Sequence, residues 1–199
     1  MFQIVELEDI IRIPPNKFGQ PLDEIALDIL KMRYESTISP ELGYVILVKD
    51  VSVGPVGKIL PGDGGTYHKV RFSILSYYPK IQEVVEGEVV EITDFGAFIR
   101  VGPVDALLHL SQITDDYLTS DVKQGIIMAS KSKRVLKIGS KVRVRITAVS
   151  LGRGTAIGKI GVTSRQPFLG ALEWIEEDLK KASKVIEVEG KEKAIESEK

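Results

Sequence analysis

Gly87-Glu88-Val89-Val90-Glu91-Ile92-Thr93-Asp94-Phe95-Gly96-Ala97-Phe98-Ile99-Arg100-Val101, followed by Asp105-Ala106-Leu107-Leu108-His109-Leu110-Ser111, is the stretch on which the reading of this chain turns. Apolar and polar residues alternate in it with the period of a half-buried strand, interrupted by turn residues. Outward from it the same texture continues. Val84–Ile92, Phe95–Val101, Ala106–Leu110, Lys141–Val149 and Lys159–Ser164 read as five short strands. Five strands in about 85 residues predict a small closed β-barrel of the OB type. Residues 111–138 form a long basic connection between the third and fourth strands, expected to be partly helical.

Strict alternation sets Phe95 and Phe98 on opposite faces. Gly96 permits a bulge, which adds one residue and turns both rings to one side. Two rings on one barrel face make a stacking platform for unstacked bases; the alternative is that one of them is core. His109, on a neighbouring strand, is placed to stack or to meet a phosphate. In Lys141-Val142-Arg143-Val144-Arg145-Ile146, period two sends the apolar residues inward and Lys141, Arg143 and Arg145 outward. A basic stripe beside aromatic rings favours single-stranded nucleic acid over duplex.

Upstream, residues 2–13 alternate with Val5, Leu7, Ile11 and Ile13 on one face, and Pro14-Pro15 stops the strand. Leu22, Ile25, Ala26, Ile29 and Leu30 form the apolar stripe of a helix over 22–34. Asp23 and Glu24 open it, and Lys31 and Arg33 close it, as the helix dipole favours. Tyr44–Val48, continuing towards Val53, and the alternation at Val70, Phe72 and Ile74 add strands. Between them lies a Gly/Pro-rich loop, with Pro61-Gly62-Asp63-Gly64-Gly65 at its centre. Its glycines permit backbone conformations closed to other residues.

The expected architecture is α+β. An N-terminal tip domain over 1–80 sets a helix on a curled antiparallel sheet. A five-stranded OB-fold barrel with a C-terminal helix over 167–181 occupies 81–185, and a disordered charged tail runs from 186 to 199. Phe168, Leu172, Ile175 and Leu179 mark the stripe of the last helix, with Pro167 in its first turn.

Composition narrows the function. The chain has no cysteine, so disulfides and thiolate metal sites are excluded and a cytoplasmic setting is expected. No apolar run approaches the roughly 20 residues of a membrane helix. The net charge of −1 conceals segregation: residues 121–165 carry 11 Lys and Arg against the single acid Asp121. Such a segment suits a polyanion, although a solvated basic face is the other reading. Catalysis finds little support. His68 and His109 are far apart, and no metal-ligand spacing is present. Gly62–Lys69 and Gly152–Gly158 lack the Gly-Lys-Ser/Thr ending and the following helix of a phosphate loop, so both read as turns. Asp115-Asp116 reads as a cap or a solvent-facing pair. Neither an enzyme, a cofactor nor a metal is expected.

The pattern Gly-x-Val, Phe-Gly-Ala-Phe and Leu-Leu-His-x-Ser over Gly87–Ser111 resembles the S-one type of RNA-binding OB fold. That family's aromatic and histidine surface positions fall on Phe95, Phe98 and His109; Ala106 stands where a glycine is common. Residues 1–180 resemble a narrower family, the E-prime subunit (subunit 7) of archaeal DNA-directed RNA polymerase. This resemblance rests on the strand before Pro14-Pro15, on Gly57–Phe72 with its Pro-Gly-Asp-Gly, and on Lys159–Gly170. It implies a non-catalytic stalk subunit whose tip docks on the polymerase core through Pro61, Gly62, Asp63, Gly64 and Gly65. It further implies a heterodimer with the polymerase's F subunit, which packs across both domains, contact with emerging single-stranded RNA, and support of initiation and processivity. The alternative is an RNA-binding cap or adaptor of an RNA-processing or translation complex. An exosome cap protein should carry a further KH domain after Arg165. The alpha subunit of the archaeal translation initiation factor starts with its barrel. A nuclease needs clustered carboxylates. The stripe at 22–30, the strand at 44–48 and the helix at 168–179 offer more apolar surface than two small cores readily bury, so part of it is expected to face a partner.

Overall fold

The computed structural model describes residues 1–152 and 158–183. The chain forms two compact units, Met1–Lys80 with Ser150–Lys159 and Ile81–Val149 with Ile160–Lys199. Most of the expected turn at 152–158 and the whole of the charged tail at 186–199 lie outside the described residues.

In the first unit the elements run β1 (Phe2–Ile13), α1 (Leu22–Tyr34), β2 (Ile38–Ser39), β3 (Gly43–Val53), β4 (Lys58–Ile59) and β5 (Thr66–Tyr77). The sheet order is β1-β5-β3-β2, with β4 added to β5. β1 and β5 both alternate cleanly, and they pair without a slip from Phe2↔Tyr77 to Ile13↔Thr66. β3 instead shifts register against β5 at Val45/Leu47 and at Lys49/Ser52. Such irregularities increase local twist and curl the sheet. α1 lays Ile25, Ala26 and Leu30 on Ile11, Ile13, Val45, Val48, Val70, Phe72 and Ile74. Burial of a side chain such as Leu30 stabilises by about 1.5–3 kcal/mol. Asp23, in the first turn of α1, accepts the Val53 N–H at 3.0 Å and ties the helix to β3.

The second unit contains β6 (Val84–Thr93), β7 (Gly96–Val101), β8 (Val104–His109), β9 (Leu118–Asp121), β10 (Ile126–Ala129), β11 (Val135–Lys137), β12 (Lys141–Ser150), β13 (Lys159–Thr163) and β14 (Gly170–Ala171). Five of these form the expected barrel. The order is β13-β8-β7-β6-β12, and a β13–β12 pairing closes it. β13 runs parallel to β8, whereas the β8–β7, β7–β6 and β6–β12 pairings are antiparallel. The inward residues, among them Val89, Ile99, Leu108, Val144 and Val162, make one core.

Two expectations need correction. The connection over 111–138 is not helical beyond a single 3-10 turn at Leu110–Gln112. It folds as an antiparallel meander, β9-β10-β11, whose Ile127 and Leu136 join Ile113 in the barrel core. The last helix, α2, spans 172–183 rather than starting at 167. Phe168 is left-handed (φ 62°) and exposed, and Gly170–Ala171 pairs with β12, so Ala171, Trp174 and Ile175 are the residues that pack inward. In the elements expected to leave some apolar surface open, Ile25, Ala26, Leu30, Val45, Val48 and Ile175 are buried, whereas Leu22, Leu47, Phe168 and Leu179 stay exposed. Exposed apolar side chains also lie on the outer face of β1, at Phe2, Ile4 and Ile10, and around β4, at Val56, Ile59 and Leu60. No described helix is long and apolar enough to cross a membrane.

Candidate nucleic-acid interface

Alternation along β7 sends Ala97, Ile99 and Val101 into the barrel and Phe98 and Arg100 outward. The β7–β8 register sets Phe98 against Leu107 and Gly96 against His109, so Phe98, Leu107 and His109 share the outer face. Phe95 stands in the two-residue turn between Thr93 and Gly96, outside the alternation of either strand. Its ring meets that of Phe98 edge-on, with centroids 6.2 Å apart and planes at 87°. Neither ring joins the barrel core, and Phe95 is 48% exposed.

The rings therefore come together, but not through a bulge at Gly96. The register shift between β6 and β7 lies at Val89/Glu91, leaving Val90 as the extra residue. Gly96 has a different role. A Cβ there would sit 2.3 Å from the Leu108 carbonyl oxygen, so only glycine lets β7 approach β8 this closely.

His109 is exposed, and its Nδ1 lies 3.2 Å from the Ser111 backbone nitrogen and 2.9 Å from the Ser111 Oγ. A backbone N–H can only donate, so Nδ1 accepts and the neutral ring carries its proton on Nε2, free to donate outward. Arg165 reaches the same place: its Nη1 faces the Ser111 carbonyl at 3.4 Å and its Nη2 pairs with Asp115. Sequence reading passed over Arg165. The signal was the parallel pairing of the last barrel strand with β8, which carries the residues after Thr163 towards His109.

Lys141, Arg143 and Arg145 do point outward from β12, with Val142, Val144 and Ile146 in the core. They are not beside the rings. β12 neighbours β6, where Lys141 lies opposite Glu88 and Arg143 opposite Glu86, whereas Phe98 lies opposite Glu91. Along β6, Glu88 lies three residues from Glu91, about 10 Å, and Glu86 five, about 16 Å. The stripe is also partly neutralised. Arg143 gives Nε (3.0 Å) and Nη2 (2.8 Å) to Glu86, and Arg145 gives Nη1 to the Gln82 carbonyl at 3.2 Å. Arg100, the cation nearest Phe98 along β7, is held by both oxygens of Asp105.

The loop of the first unit is built around Asp63. Arg12 donates from Nε (2.7 Å) and Nη2 to its two oxygens; the Tyr67 hydroxyl (2.6 Å) and the Gly65 N–H (2.9 Å) donate as well. The hydrogen bonds from Arg12 and then Tyr67 hold the carboxyl far below the usual carboxylate range. The same contact raises the Tyr67 phenol. Of the three loop glycines only Gly62 has positive φ (85°). Gly65 serves a close approach instead: a Cβ would lie 3.0 Å from the Ile13 carbonyl oxygen, while at Gly64 the nearest atom is Pro15 Cγ at 3.4 Å. Asp63 thus braces the loop from within. Pro61 follows an exposed run, Ile59 and Leu60, that the sequence reading had not singled out.

Comparison with known proteins matches residues 8–64 to the "SHS2 domain found in N terminus of Rpb7p/Rpc25p/MJ0397" and residues 78–161 to the "S1 RNA binding domain". DNA-directed RNA polymerase subunit Rpo7 of Saccharolobus shibatae is 46% identical over 88% of this chain and 97% of its own length. The Sulfolobus acidocaldarius Rpo7 is 43% identical over 92% of this chain and its own full length. DNA-directed RNA polymerase II subunit RPB7 of Saccharomyces cerevisiae is 28% identical over 86% of this chain and its own full length. The two matched domains, and archaeal relatives 43–46% identical over about nine-tenths of the chain, place it in the Rpo7 family of DNA-directed RNA polymerase subunits, with an S1 RNA-binding domain in its second half.

Proposed function

We propose that this protein is a non-catalytic polymerase component, pairs with the F subunit to form a stalk on RNA polymerase, and guides emerging single-stranded RNA during initiation and elongation. The observation that carries the RNA part is the pair of rings outside the barrel core, Phe95 and Phe98, with His109 on the same outer face. Edge-on rings present their faces at right angles, so each takes its own base. The His109 Nε2–H serves a phosphate or base acceptor. Lys141, Arg143 and Arg145 add a more distant electrostatic contribution, weakened for Arg143 by Glu86.

Docking on the core belongs to the loop over Pro61, Gly62, Asp63, Gly64 and Gly65, with exposed Val56, Ile59 and Leu60 as its apolar contacts. Asp63 contributes by holding the loop in shape. The outer face of β1, with Phe2, Ile4 and Ile10, is a surface that the stalk partner would cover. The test is reconstitution. The chain should enter polymerase only with an intact loop, should form a stable heterodimer with the F subunit, and should crosslink to transcript through the β7–β8 face. A chain that stays monomeric beside that partner at micromolar concentration overturns the stalk reading.

A further inference from the structure

The meander between β8 and β12 is not needed to close the barrel, which its five other strands complete. Its inner side chains join the core, but its outer edge carries a feature of another kind. Tyr117 is 76% exposed, and its backbone is fixed on both sides. The Tyr117 carbonyl accepts the Ser130 N–H at 2.9 Å, and the Tyr117 N–H donates to Asp116 Oδ1 at 2.8 Å. The other oxygen of Asp116 accepts the N–H groups of Lys131 (2.9 Å) and Ser132 (2.8 Å). One carboxylate therefore clamps the turn bearing Lys131 and Lys133 against the base of an exposed aromatic ring.

Among the described residues no acid forms a direct ion pair with either lysine's ammonium. Asp116 is occupied by backbone donors, Asp121 accepts the N–H groups of Lys123 and Gln124, and Asp115 pairs with Arg165. Lys131 and Lys133 are exposed, and neither makes an ion pair among the described residues. An isolated surface tyrosine is ordinary. A tyrosine whose backbone is immobilised beside unpaired cations is a stacking surface with phosphate contacts. Along the chain it also lies close to the rings of β7. From His109 the chain passes Ser111, then Asp115 held by Arg165, and reaches Tyr117 after eight residues, at most about 28 Å. OB-type sites take about 4–16 nucleotides, so a strand leaving the rings has the length to arrive.

We propose that Tyr117, Lys131 and Lys133 form a second contact for single-stranded RNA, extending the track that starts at Phe95 and Phe98. This rests on the RNA reading of the barrel given above, and the test separates the two. Full-length chain is titrated with labelled single-stranded RNA of about 6 and about 16 nucleotides at several salt concentrations. Tyr117→Ala should weaken the long oligonucleotide by about 5- to 100-fold and leave the short one unchanged. Tyr117→Phe, which keeps the ring, should bind as the parent does. Lys131→Ala with Lys133→Ala should flatten the salt dependence of the long oligonucleotide by about 0.7 per lost contact. Phe95→Ala with Phe98→Ala should weaken both lengths. If Tyr117→Ala and the lysine variant bind the long oligonucleotide as the parent does, the second contact is wrong while the barrel reading stands. If the parent binds neither length, both readings fall.

Discussion

Arg12 and Asp63, fifty-one residues apart, form a two-pronged ion pair that fastens the Pro-Gly-Asp-Gly loop to the end of β1. The pair has a pH signature. Asp63 titrates well below its ordinary range when folded, so its contribution is complete above the unfolded value near 4 and is lost as pH falls towards the folded one. Asp63→Asn should therefore melt below the parent at neutral pH, and the gap should narrow below about pH 4. Melting profiles that stay parallel into acid would show that the pair is not linked to folding. In the same variant the Tyr67 phenol, released from the carboxylate, should titrate lower by ultraviolet absorbance.

The loop glycines should differ in their tolerance. Gly64→Ala meets nothing closer than Pro15 Cγ at 3.4 Å, whereas Gly65→Val drives into the Ile13 carbonyl and the Arg12 guanidinium. Reconstitution with polymerase core should accept the first and fail with the second, with RNA binding intact in both. Loss of both activities in Gly65→Val would mean that the whole chain had unfolded.

On the barrel, Phe95→Ala with Phe98→Ala should weaken single-stranded RNA binding by about 2–5 kcal/mol. Phe95→Ala alone should barely change stability, since its ring stands outside the core. Arg143→Ala should cost less than about tenfold in affinity, because that guanidinium already faces Glu86. Equal losses for Arg143 and the rings, measured by fluorescence anisotropy, would return the stripe to the centre of the site.

Gly96→Ala should destabilise the barrel by about 1–3 kcal/mol or more, since the new methyl group would sit 2.3 Å from a backbone oxygen. Denaturant unfolding that matches the parent would show that β7 and β8 separate without cost.

Long alternating segments were legible because one face of each is buried. β1, α1 and the five barrel strands fall within a few residues of their expected bounds. The meander was not, because strands of four, four and three residues hold too little alternation to register. The last helix was misphased because Phe168 continued an apolar period through a left-handed residue. The excess charge of residues 121–165 was real in composition. However, Glu86 and Glu88, which face Arg143 and Lys141, lie outside that window and meet it only through β6–β12 pairing. Phe95 and Phe98 were correctly joined for a wrong reason, since a turn can escape alternation as well as a bulge can.

The parallel seam between β13 and β8 also bears on how the chain comes off the ribosome. β6, β7 and β8 pair through short connections and can zip as hairpins as soon as His109 has emerged. β13, which must slot beside β8, is made about fifty residues later, after the meander and β12. During that interval the nascent barrel has two unpaired edges and an open interior, the kind of surface that invites wrong partners. The meander emerges within this gap and brings Ile127 and Leu136 to the core first. A nascent chain arrested when Lys137 has just cleared the exit tunnel should thus display a barrel already lined but not yet sealed, sensitive to protease until the last strand arrives.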